Sequence, residues 1–152
     1  MIDGSFFNAN YVFKVREHVL EMSEVVVETL PTNFLKYLVA PILYYKTKQR
    51  LDAEGTGHHS LEEVMTIMRA DLVAVDQILG DKEYIVGNVP SLADCTLFGH
   101  LAAGYYLPYD YPLKHMLDEE FPRLKRHMLR MASSFYKDHA IGAKSSGDSA
   151  TM

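Results

Sequence analysis

One stretch constrains this chain more than any other: Gly87-Asn-Val-Pro-Ser-Leu-Ala-Asp-Cys-Thr-Leu-Phe-Gly-His-Leu-Ala-Ala-Gly104. Ser91 precedes Asp94 by three residues. At that spacing the Ser91 hydroxyl accepts from the Asp94 backbone N–H, and the Asp94 carboxylate reaches back to the Ser91 N–H. This is a capping box with Asp in place of the commoner Glu or Gln. Pro90 stands just before the cap, where it can pack on Cys95 as a hydrophobic staple. From Leu92 to Leu107 there is no Lys, Arg or Glu. A helix that is apolar all round is normally a buried one. Gly99, Ala102, Ala103 and Gly104 are small enough for neighbouring helices to approach closely. The stretch predicts a central helix with a strongly specified start.

The flanking segments also read as helices. Residues 1–9 read as a short lead-in, and Asn10 as the N-cap of a first helix. Val12, Val15, Val19, Met22 and Val26 recur at spacings of three and four, one helix face. Glu17, Glu21, Glu24 and Glu28 fall on the solvated side, and Pro31 ends the helix. Phe34 to Glu54 is helical, with Leu35, Leu38, Val39, Ile42 and Leu43 on the apolar side. Pro41 inside it predicts a kink or a division. After the Gly55-Thr-Gly57 turn, Ser60 and Glu63 form a second capping box. Leu61, Val64, Met65, Met68, Leu72, Val75 and Leu79 follow at helical spacing, and Gly80 is a natural stop. Asp110 can cap a short helix with Pro112 in its first turn, running to about Glu120. Pro122 starts the last helix, with Leu124, Met128, Met131 and Phe135 inward and a solvated face of Arg123, Lys125, Arg126 and Arg130. Residues 139–152 read as a disordered tail. No strand-rich block occurs, so the fold class is all-α, with one helical domain over 10–138.

Bulk properties narrow the function. The 152 residues suffice for one domain with a real core. The formal net charge of −5 argues against a nucleic-acid footprint, which needs a basic face. One cysteine excludes an internal disulfide and a multi-thiolate metal site. The most apolar region, Val25 to Tyr45, is interrupted by Glu28, Pro31, Asn33, Lys36 and Pro41. A membrane span wants about 20 mostly uninterrupted apolar residues, so a soluble, cytoplasmic protein with no membrane span is expected.

Several of these residues together resemble a family. They are Gly55-Thr-Gly-His-His-Ser60, the paired glutamates after it, Leu79-Gly-Asp-Lys82, Val86-Gly-Asn-Val-Pro-Ser-Leu-Ala-Asp94 and Phe98-Gly-His-Leu101. The pattern looks like the C-terminal helical domain of the glutathione S-transferase superfamily, in its failed-axon-connections and metaxin-like branch. It covers roughly residues 40–137. The resemblance implies an all-helical glutathione S-transferase C-terminal-like bundle. It departs from the family in three ways. The thioredoxin-like N-terminal domain is absent, since a first helix near residue 10 leaves no room for roughly 50 residues or more. His58 stands where the family turn usually has Arg. There is no tryptophan, which the family's first helix commonly carries.

In proteins this chain resembles, glutathione binds mainly to the thioredoxin-like domain, which also supplies the Ser, Tyr or Cys that activates the thiol. The resemblance therefore implies no cofactor here, and glutathione only if that domain is supplied. At most, the helices would form a hydrophobic pocket wall, for which Tyr11, Val15, His18 and Tyr105 are candidates beside their reading as core residues. Ser91, Asp94, Ser60 and Glu63 are read as structural caps and no residue as catalytic. No histidine is placed by the sequence to complete a relay with Ser91 and Asp94, since His100 lies almost two turns further on. His58 and His59 read as turn residues rather than metal ligands, and no metal site is expected. Cys95, in the first turn of a helix, reads as a buried inert residue rather than a redox thiol.

The expectation is a non-catalytic helical domain acting through protein–protein contacts, with a protein partner or self-association. Two alternatives stand beside it. One is part of a glutathione transferase whose thioredoxin-like half is missing from this chain. The other is a metaxin-like adapter held at the mitochondrial outer-membrane surface by a partner.

Overall fold

The computed structural model describes residues 2–27 and 35–136. Among the described residues there is no strand, only an isolated antiparallel bridge between Tyr84 and Gly87. The architecture is all-helical. The chain divides into two compact units, residues 1–71 and 72–152, with the boundary inside one long helix.

In the first unit a π-helical turn, Ile2–Phe6, leads into α1, Phe7–Arg16. The expected lead-in is therefore helical. Phe6 and Ala9 are buried with Val12, Phe13 and Val15, which anchors it. Asn10 lies inside the helix, where its Nδ2 donates to the Phe6 carbonyl at 2.9 Å. The chain breaks at Glu17 and His18, and α2, Val19–Val27, follows. The break shifts the inward face, so that Ser23 is buried and Val26 is exposed. α3, Leu35–Glu54, runs unbroken through Pro41. Pro41 is exposed, where water can satisfy the carbonyl one turn back. Ala40 and Leu51 face inward, whereas Leu38 and Ile42, expected on the buried side, face out. α2 packs against α3, and α1 against both.

A tight turn closes α3. Gly55 has φ +89°, a left-handed conformation that favours glycine. A Cβ on Gly57 would lie 2.8 Å from the Asp52 backbone nitrogen and 2.9 Å from the Leu51 carbonyl carbon, so no side chain fits. Arg16 clamps this turn to the end of α1. Its guanidinium donates to the His59 carbonyl at 2.7 Å and to the Gly57 carbonyl. α4, Leu61–Leu79, buries Val64, Met68, Leu72, Val75 and Leu79 at helical spacing. Gly80, at φ +54°, ends it.

The second unit holds α5, Leu92–Tyr105, the short α6, Pro112–His115, a π-helical turn Met116–Glu120, and α7, Pro122–Phe135. Tyr111, not Asp110, is the N-cap of α6. The Asp110 carboxylate lies instead 2.6 Å from His115 Nε2. α5 packs against α6 and α7. It is not buried all round. Leu97, Phe98, Leu101 and Gly104 are inside, but Leu92 is 82% exposed, and Ala93, Cys95, Gly99 and Ala103 are exposed too. At Ala93, Gly99 and Ala103 a lack of charge does not force burial, because side chains this small gain little area. Pro90 and Cys95 are both exposed, so they form no buried staple. α7 buries Leu124, His127, Met128 and Met131, while Phe135 at its end is exposed.

Candidate functional site

The most elaborate polar arrangement lies at the start of α5. The Ser91 backbone is extended, and the capping box is complete in both directions. Asp94 Oδ2 accepts from the Ser91 N–H at 2.8 Å and from the Ser91 hydroxyl at 2.6 Å. The other oxygen, Oδ1, accepts from the Ile85 N–H at 2.7 Å. It also lies 2.9 Å from His127 Nε2 on α7. Asp94 is 0% exposed and His127 1%. A carboxylate that only accepts requires the proton on Nε2. His127 Nδ1 is buried with no partner among the described residues. Burial pushes the Asp94 carboxyl upward. The hydrogen bonds from Ser91, Ile85 and His127 together outweigh that and hold it down at about 2.

Neighbouring contacts fasten the same loop. Arg130 of α7 donates to the Glu83 carbonyl at 2.5 Å and stands over the Tyr84 ring at 5.9 Å. Tyr84 meets His127 edge-on, with ring centroids 6.4 Å apart. Arg123 binds the Asp76 carboxylate, with two contacts of 3.2 Å from Nε and a closer one from Nη2. Lys125 pairs with Asp118 at 2.8 Å. The basic residues of α7 are thus not a merely solvated face, because three of the four hold neighbouring carboxylates or carbonyls.

Ser, Asp and His side chains meet here, yet their order is wrong for nucleophilic catalysis. A serine relay places the imidazole between hydroxyl and carboxylate, so that the imidazole takes the hydroxyl proton. Here the carboxylate is in the middle, and both Ser91 and His127 point at it. A carboxyl held near 2 is a poor base at neutral pH. His127 escaped the sequence reading because it lies 33 residues from Asp94. The available signal was its position between Leu124 and Met128 and Met131 on the apolar side of α7.

The other predicted positions are distributed between the two units. Ser60 and Glu63 cap α4 at the surface, with Ser60 N–H to Glu63 Oε2 at 2.7 Å and Glu63 N–H to Ser60 Oγ at 3.2 Å. Tyr11, Val15 and His18 belong to the first unit and Tyr105 to the second. Val15 is buried. Tyr11 lies against Phe7, and Arg50 stands 5.1 Å above its ring. His18 Nδ1 lies 3.8 Å from Glu21. Tyr105 packs edge-on against Tyr106, under Lys125. Cys95 is exposed rather than buried. His58 and His59 are exposed, and His59 Nδ1 lies 3.7 Å from Glu63. Among the described residues, no group of three or more His, Cys, Asp or Glu side chains could hold a metal. No described helix is long and apolar enough to cross a membrane.

The first unit carries a different kind of feature. Tyr37, Leu38, Ile42 and Tyr45 of α3 are 61%, 53%, 57% and 68% exposed. Leu20, Val25 and Val26 of the adjacent α2 are exposed with them. These are large apolar side chains left facing water on two neighbouring helices.

Comparison with known proteins agrees with the helical architecture. The family described as "Glutathione S-transferase, C-terminal domain" matches residues 68–131. The chain is 31% identical over 108 residues to "Failed axon connections" of Drosophila melanogaster, a match that takes in 70% of this chain. The chain spans 26% of that relative's length. No solved structure matches. The chain therefore contains a helical domain like the glutathione S-transferase C-terminal domain, distantly related to failed axon connections.

Proposed function

From this likeness we infer that the chain is a non-catalytic helical domain that works by contact with another protein. We place it in the failed-axon-connections and metaxin-like branch and in the cytoplasm. The observation that carries the reading is the apolar surface of α2 and α3, where Tyr37, Leu38, Ile42 and Tyr45 face water. Tyrosines are favoured at interfaces, because they offer large contact area and a polar tip. The Asp94 cluster supports the same reading, since its groups are consumed in holding α5, α7 and the loop before α5 together.

Sedimentation velocity at rising protein concentration tests it. Self-association that is reduced in an Ile42→Ser/Tyr45→Ser variant supports a contact surface. A clean monomer at high concentration counts against it. The family match itself favours a second reading, part of a glutathione transferase whose thioredoxin-like half is missing from this chain. Retention of the chain on a glutathione-affinity column would favour that reading over the first.

A further inference from the structure

We draw no further inference here: the strongest candidate, the exposed apolar surface patch of α2 and α3 that carries Leu20, Val25, Leu38, Ile42 and Tyr45, is an unpartnered face, and nothing in the structure shows what covers it.

Discussion

α4 and α5 begin with the same local device and end in opposite surroundings. Ser60 and Glu63 exchange two hydrogen bonds at the surface, and the backbone N–H of Ser60 is the main cause that holds the Glu63 carboxyl below its ordinary value. Ser91 and Asp94 make the same exchange out of water, and Asp94 goes on to take the Ile85 N–H and His127. The side chain one methylene shorter keeps both carboxylate oxygens close to the backbone. One oxygen closes the box, and the other faces the loop and α7. The glutamate's longer arm closes its box from outside, beside His59. A cap rule therefore fixes where a helix starts, while the packing around it decides whether the cap is a detail or a joint.

The largest expected break in this comparison is Asp94→Ala. It leaves the buried His127 Nε2 and the half-buried Ser91 and Ile85 N–H groups without their acceptor. Removing one side of such a cluster costs about 3–5 kcal/mol. Urea unfolding measures it, and a loss no larger than that of an ordinary cap would erase the distinction. His127→Ala follows, at about 2–3 kcal/mol, from a buried cavity plus one lost charge-assisted hydrogen bond.

Acid should separate the two boxes next. Because the folded Asp94 carboxyl sits below its unfolded value, its stabilisation is present above about pH 4. It is lost as the pH falls toward about 2, and amounts to about 2 kcal/mol. Unfolding curves taken across that window should show the loss, and Asp94→Asn should flatten it. Ser60→Ala is the smallest effect, about 1 kcal/mol, as for an exposed cap. A cost equal to that of Asp94→Ala would show that depth does not matter.

The all-helical class and the positions of both boxes were legible, because periodicity and capping are short-range rules. The inward face of α4 was legible for the same reason, since Val64, Met68, Leu72 and Val75 follow one helical period. Other features were not. The break at Glu17 and His18 carries neither Pro nor Gly, so the valine pattern read straight through it. The outer side of α5 was read as buried from its lack of charge, but Gly99 and Ala103 have too little surface to demand cover. The link from His127 to Asp94 depends on how α7 lies against α5, which no local pattern encodes. The surface cations of α7 were undervalued in the same way, since Asp76 and Glu83 come from elsewhere in the chain.

The account turns on Asp94 being an ionised structural joint and not a reacting group. A carbon NMR titration of its carboxyl in the folded protein addresses this directly. The predicted midpoint is about 2, with His127→Ala moving it upward. A midpoint raised toward neutrality, as for a carboxyl poised to exchange protons in a reaction, would contradict it.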